Sequence, residues 1–154
     1  MSVPAPERKE SPAEYINTAK EIDKEALKLY SRPCYADIKD ALLIELYHQA
    51  SKVLECCVRA NDIHLPTSKD KITVATISIQ EAKDRIALLV EAKGYLAALN
   101  AKTTELYTVR PIKHRYRGQK KRIAELLGKE YNLLKGMIKS DENRLKKLEK
   151  IVSG

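Results

Sequence analysis

The stretch Ile72-Thr73-Val74-Ala75-Thr76-Ile77-Ser78-Ile79 decides the fold class of this 154-residue chain. Its β-branched residues are typical of a strand. The apolar residues nevertheless continue past it at the three- and four-residue spacing of a helix, at Ile72, Ala75, Ile79, Ala82, Ile86, Leu89 and Leu96. No second strand-like segment is present in the sequence to pair with it. The pattern therefore predicts one long helix, from Asp70 to about Tyr107.

Three further helices are predicted on either side of this one. Ser11-Pro12-Ala13-Glu14 combines a capping serine, a proline in the first turn and a glutamate that reaches back, which predicts a helix start. This first helix ends at Ser31-Arg32-Pro33, because proline disfavours the helical conformation in the residue before it. The second helix is predicted from about Tyr35 to Ala60. Gly118 is expected to separate a connector from the fourth helix, which runs to the C-terminus.

Four long helices joined by short links predict an all-α, up-down-up-down four-helix bundle. We expect residues 1–11 to form a disordered tail and residues 12–152 to form a single bundle domain. The composition agrees with this architecture: 44% of the residues are hydrophobic, 32% are charged and only five are glycine. Such a composition is typical of helices with heavily charged outer faces.

Cysteine usage and hydropathy predict a soluble, cytoplasmic protein. The three cysteines are an odd number and two of them, Cys56 and Cys57, are adjacent, so they do not indicate a disulfide framework. The polar residues from Met1 to Ser11 lack the apolar core of a signal peptide. No segment approaches the ~18 uninterrupted apolar residues of a membrane span.

The sequence contains no pattern that indicates a catalytic or metal site. His48, His64 and His114 fall on three different elements, and neither Cys-x-x-Cys nor His-Glu-x-x-His occurs. A glycine-rich phosphate loop and a serine nucleophile elbow are also absent from the sequence. Acidic residues are abundant, but they alternate with lysines as they do on solvated helix faces. We therefore expect a protein that is not an enzyme and that binds no metal or cofactor.

The excess positive charge is concentrated in residues 110–122, the basic stretch, which holds seven lysines and arginines and no acid. The whole chain has 29 basic and 21 acidic residues, so the remainder is almost neutral at 22 and 21. A concentrated basic patch is a binding site for a polyanion, and a tyrosine within it offers a ring on which a base can stack. The alternative is a solvated connector whose charges serve only solubility. The candidate nucleic-acid-binding residues are Arg110, Lys113, His114, Arg115, Tyr116, Arg117, Lys120, Lys121 and Arg122.

The order of elements resembles the four-helix-bundle family of the 23S rRNA intervening-sequence protein. The resemblance covers roughly residues 15–144, and the segments that carry it are Ser31-Arg32-Pro33, Val58-Arg59-Ala60-Asn61, Ile86-Ala87-Leu88-Leu89-Val90, Ile123-Ala124-Glu125-Leu126-Leu127-Gly128 and Leu134-Lys135-Gly136-Met137-Ile138-Lys139. Within this family the chain looks most like the accessory variability determinants (Avd) of diversity-generating retroelements. The Asn-Ile-x-Glu-Gly element of the intervening-sequence branch is missing after Ile77-Ser78-Ile79.

The resemblance implies a non-catalytic accessory protein that assembles as a homopentamer. Such a protein binds template RNA and a reverse transcriptase and supports mutagenic cDNA synthesis. The alternative is a helical scaffold or interaction module of a phage or plasmid system that binds DNA or an acidic protein partner. In both cases the basic stretch is the expected contact surface.

Overall fold

The computed structural model describes residues 14–63, 72–110 and 116–154, with the side chains of residues 72–74 left aside. These residues form four α-helices: α1 (Glu14–Tyr30), α2 (Ile44–Asn61), α3 (Ile72–Val109) and α4 (Arg117–Ser153). The described residues contain no β-strand. The segment that decides the fold class, residues 72–79, lies within α3. The prediction of one long helix there, and of an all-α fold, is confirmed.

The four helices form an antiparallel bundle, as the contacts between their side chains demonstrate. In each pair of contacting helices, the residue numbers of the contacts rise along one helix and fall along the other. The contacts are Tyr15–Asn61 and Asp23–Ser51 between α1 and α2, Glu14–Lys129 and Glu21–Arg122 between α1 and α4, and Lys93–Tyr131 and Tyr107–Lys120 between α3 and α4. Each helix is therefore antiparallel to the partner it contacts in these pairs, which is the predicted up-down-up-down topology.

The core is built from the apolar stripes that the sequence predicts. Its largest fully buried side chains come from all four helices and from the segment before α2: Tyr15, Leu29, Leu43, Leu46, Val53, Leu89, Leu99, Leu106 and Leu134. Each of these aliphatic side chains contributes about 1.5–3 kcal/mol of hydrophobic stabilisation relative to an exposed one. The core therefore holds α3 and α4 in the orientation that sets which of their residues reach solvent.

The second helix begins later than the sequence predicts. Between α1 and α2 the chain forms a 3₁₀-helix over Pro33–Ile38 and a π-helix over Lys39–Leu43, so the regular helix starts at Ile44 rather than near Tyr35. These turns still bury Tyr35, Leu42 and Leu43. Apolar spacings of three and four residues occur in helices of all three kinds, so periodicity alone does not distinguish them.

Gly118 does not separate a connector from the last helix. α4 begins at Arg117, and Gly118 lies in its first turn with an ordinary backbone conformation, since no glycine of the described residues has a positive φ. The second half of the basic stretch is therefore helical. The predicted helix start at Ser11-Pro12-Ala13 and the predicted tail over residues 1–11 lie outside the described residues.

One acid is buried in the bundle without a partner. Glu130 of α4 has a relative exposure of 0%, and neither of its carboxyl oxygens has a hydrogen-bond partner among the described residues. Burial raises the pKa of Glu130 to about 8, although the nearby Lys129 ammonium lowers it. The carboxyl therefore stays mostly protonated at neutral pH, and it makes folding depend on pH.

We predict that Glu130→Gln changes the pH dependence of stability. The folded state holds a proton that the unfolded state releases above the ordinary pKa of 4.5, so Glu130 lowers stability as the pH rises from about 4.5 to about 8. Glutamine removes this titration at nearly constant shape. The substitution is therefore expected to raise the free energy of unfolding more at pH 8 than at pH 5. The difference between the two pH values is on the order of a few kcal/mol.

Urea denaturation at pH 5, 6.5 and 8 measures this effect. Glu125→Gln, at an exposed position of the same helix, is the matched control and is expected to follow the unsubstituted chain. Equal pH slopes for Glu130→Gln and the unsubstituted chain would contradict the prediction.

Candidate nucleic-acid interface

The described part of the basic stretch lies at one end of the bundle. Arg110 follows the end of α3, and residues 116–122 form the start of α4. The same end includes Arg32, which follows α1, and the 3₁₀-helix Pro33–Ile38, and both contact these residues. The structure therefore places this part of the stretch against two other elements of the fold. The candidates Lys113, His114 and Arg115 lie outside the described residues.

Arg110 is held by the 3₁₀-helix that precedes α2. Its guanidinium forms an ion pair with Asp37 and donates to the backbone carbonyl of Cys34 at 3.2 Å. The hydrogen bond from Arg110 lowers the pKa of Asp37. The charge of Arg110 is therefore partly neutralised within the fold. Its contacts with Asp37 and Cys34 hold the end of α3 against the 3₁₀-helix.

Arg122 joins the start of α4 to α1. Its Nε donates to Glu25 and its Nη2 to Glu21, both at 2.9 Å, and Gln119 donates to Glu25 at 3.4 Å. Glu25 has a relative exposure of 4%. Burial raises the pKa of Glu25, but the hydrogen bonds from Arg122 and Gln119 outweigh burial and lower it. Glu25 is therefore an ionised, hydrogen-bonded acceptor that fixes α4 against α1.

The ring of Tyr116 carries a cation from another element. The guanidinium carbon of Arg32 lies 4.3 Å from the centre of the ring, and the Nε of Arg32 donates to Gln119 at 2.7 Å. One face of the ring predicted for base stacking is thus paired with arginine inside the fold. Sequence reasoning assigned Arg32 only to the break after α1, because nothing local indicates a contact with residues more than 80 positions away.

Three of the candidate residues present their charge to solvent. Arg117, Lys120 and Lys121 are exposed and form no ion pair with any described residue. The ammonium of Lys120 also lies 5.5 Å from the centre of the Tyr107 ring. The first turn of α4 contains no acid, and the side chain of its N-cap residue, Tyr116, makes no capping hydrogen bond. The helix dipole therefore adds to the positive potential at this end of the bundle.

In the folded protein, the exposed positive charge extends beyond the basic stretch along α4. α4 carries 11 basic and five acidic residues, and two of those acids, Glu130 and Asp141, are buried. Residues 14–63 carry seven basic and nine acidic residues. The positive side of the bundle is consequently the whole outer face of α4. The total charge of +8 does not reveal this, because it shows neither that residues 14–63 carry an acidic excess of two nor that two of the five acids of α4 are buried.

The buried titratable groups do not form a second site. Burial raises the pKa of the Cys57 thiol and that of the Tyr107 hydroxyl, the latter to about 12. Within residues 14–63, 72–110 and 116–154, no group of three His, Cys, Asp or Glu side chains is placed to hold a metal ion. None of the described helices combines the length and apolarity that crossing a membrane requires.

No protein-family model, curated protein or solved structure matches this chain. The family resemblance therefore remains a prediction.

We predict that Arg122→Gln destabilises the fold more at pH 7 than at pH 3. Because the pKa of Glu25 is lowered in the folded state, its ion pair stabilises the fold above the ordinary pKa of 4.5. That stabilisation is lost as the pH falls through the lowered value. Thermal unfolding followed by circular dichroism at both pH values measures the difference.

Lys121→Gln is the matched control, since Lys121 is exposed and adjacent to Arg122 in the chain. It is expected to leave the unfolding temperature unchanged at both pH values. A loss of stability in Arg122→Gln that is the same at pH 7 and pH 3 would show that the contacts with Glu25 and Glu21 do not stabilise the fold electrostatically.

Proposed function

We propose that this protein is a non-catalytic, basic nucleic-acid-binding accessory protein that resembles the Avd proteins of diversity-generating retroelements. In this role it binds template RNA and a reverse transcriptase and supports mutagenic cDNA synthesis. The observation that carries the proposal is the exposed cluster of Arg117, Lys120 and Lys121 at the start of α4. The reverse transcriptase is contributed by the resemblance alone.

The chemistry of this cluster suits phosphate groups. An arginine guanidinium donates to phosphate oxygens in pairs, while lysines act as mobile point charges. The N-terminal N–H groups of α4 lie at the same end of the helix and favour an anion. Contacts to phosphates carry no sequence information, so binding through them is expected to be insensitive to sequence and steeply dependent on salt.

The proposal assigns no reaction to the protein. The groups with the most perturbed pKa values, Glu130 and Cys57, each have a relative exposure of 0%. Substrates therefore do not reach them without opening the core. The raised pKa values of both groups have a structural explanation. Each group lies among the packed side chains of the bundle, and burial is the largest cause of its pKa shift.

Self-association of the chain is supported by the outer face of α3. In a protein with 32% charged residues, this face is uncharged and solvent-exposed at seven positions that repeat every three or four residues: Ala87, Val90, Gly94, Ala97, Ala101, Thr104 and Thr108. Small residues at this spacing allow the close approach of a second helix. A homopentamer is what the resemblance implies, and this face is the surface that we assign to contact between copies.

We predict that Arg117→Gln, Lys120→Gln and Lys121→Gln together weaken RNA binding. The loss of three phosphate contacts is expected to reduce the slope of log K against log salt by about 2–3. Fluorescence anisotropy with a labelled, structured RNA between 50 and 300 mM NaCl measures this slope.

The matched control replaces Lys20, Lys24 and Lys83, which are exposed on α1 and α3, by Gln. It removes the same charge and is expected to leave the slope unchanged. RNA binding by the first variant at the strength of the unsubstituted chain across the salt series would refute the proposed site. Preferential binding of DNA, or of an acidic protein, would favour the scaffold alternative.

We predict that Gly94→Glu prevents association without unfolding the chain. A Cβ atom at Gly94 meets no atom within 4 Å, so the fold accommodates a side chain there, whereas a charge on the α3 face opposes contact with a second copy. Light scattering should give a mass several times the 17.5 kDa of one chain for the unsubstituted protein and a single-chain mass for the variant. A monomeric unsubstituted protein would contradict the assignment.

A further inference from the structure

The outer side of α4 carries a row of cations along its full length. The row, called the basic ridge, consists of six exposed residues: Arg117, Lys121, Lys135, Lys139, Lys146 and Lys150. Their separations of 4, 14, 4, 7 and 4 residues are close to whole numbers of helical turns at 3.6 residues per turn, so they share one side of the helix. The basic ridge therefore continues the cluster at the start of α4 far beyond the basic stretch.

The charge of the basic ridge is not neutralised within the fold. None of its six residues forms an ion pair with any residue in the described part of the chain. Three exposed carboxylates, Glu125, Glu142 and Glu149, lie on or beside the same side of the helix. The ridge keeps an excess of three positive charges over these three carboxylates. Arg122 and Lys129, in contrast, point toward α1 and pair with its glutamates.

The length and rigidity of the ridge match a stiff polyanion. At a rise of about 1.5 Å per residue, Lys150 lies roughly 50 Å along the helix from Arg117. This distance corresponds to about 15 base pairs at the rise of B-form DNA, and to a few more in the more compact A-form of paired RNA. A duplex of that length is stiff, since the persistence length of duplex DNA is about 150 base pairs. A duplex of this stiffness can therefore lie along the ridge without bending.

The ridge combines six cations with a single aromatic ring. The one aromatic residue between Arg117 and Ser153 is Tyr131, which is exposed one helical turn before Lys135 and has the ammonium of Lys93 5.2 Å from its ring centre. Proteins that bind unpaired strands combine a basic groove with a series of rings on which successive bases stack. Six cations with one ring favour recognition of a continuous phosphate backbone.

We infer that the basic ridge binds the backbone of a double-stranded nucleic acid lengthwise and without sequence preference. This inference rests on the proposed function for its first contacts, at Arg117 and Lys121. It extends that function by four lysines, the first of which, Lys135, lies about 21 Å beyond Lys121 along the helix. A paired region of RNA is the ligand, and the shape of the duplex rather than its sequence is recognised.

The test compares a 20-base-pair RNA duplex of mixed sequence with one of its strands alone. Fluorescence anisotropy between 50 and 300 mM NaCl gives the salt slope for the full-length chain and for two variants. The ridge variant replaces Lys135, Lys139, Lys146 and Lys150 by Gln. The control variant replaces four exposed lysines of the other helices by Gln: Lys20, Lys24, Lys52 and Lys83. Circular dichroism checks that both variants fold.

The expected result is tighter binding of the duplex than of the single strand. The duplex slope should fall by about 3–4 in the ridge variant and remain unchanged in the control. An unchanged slope in the ridge variant, with a loss in Arg117→Gln/Lys120→Gln/Lys121→Gln, would overturn the inference and leave the proposed function standing. Equal losses in the ridge and control variants, or equal binding of the single strand, would also overturn it. No binding of either RNA at 50 mM NaCl would refute the proposed function itself.

Discussion

The contact between Glu25 of α1 and the first turns of α4 orders the whole basic side of the molecule. Glu25 is buried and ionised, so it requires the hydrogen bonds that Arg122 and Gln119 supply. Because Arg122 reaches across to α1 to make them, this contact and the buried apolar side chains of α4 together fix the rotation of α4 about its axis. Arg117 and Lys121 then face solvent, and so do the lysines that follow them at whole helical turns.

α4 separates its ionisable residues into an inner and an outer set. On the inner side, Asp141 pairs with Arg85 at 2.7 Å, and Glu130 is kept neutral by burial. On the outer side the cations far outnumber the exposed carboxylates. The burial of two of its five acids therefore makes the surface of α4 more positive than its composition suggests. The packing that stabilises α4 in the bundle therefore also leaves an excess of cations on its exposed side.

The fold follows from the sequence because apolar spacing is a local signal. The rhythm from Ile72 to Leu96 predicts α3, and Pro33 predicts the end of α1, to within a few residues. The 3₁₀- and π-helical turns before α2 are not predictable in this way, since their apolar spacing is shared with an α-helix. For the candidate site, the sequence predicts the basic stretch 110–122, and the structure places the described residues of this stretch at one end of the bundle. Its partners, Arg32 and Glu25, are distant in sequence, so no local pattern assigns Arg122 to packing and Arg117 to the surface.

Protection of lysines from chemical acetylation, mapped by mass spectrometry with and without RNA, tests the central claim that α4 is the nucleic-acid-binding surface. The account predicts that bound RNA protects Lys120 and Lys121, which lie at the start of α4. Lys20, Lys24 and Lys52, exposed on α1 and α2, should react as fast as in the absence of RNA. Equal protection of all of these lysines, or protection confined to α1 and α2, would contradict the assignment of α4.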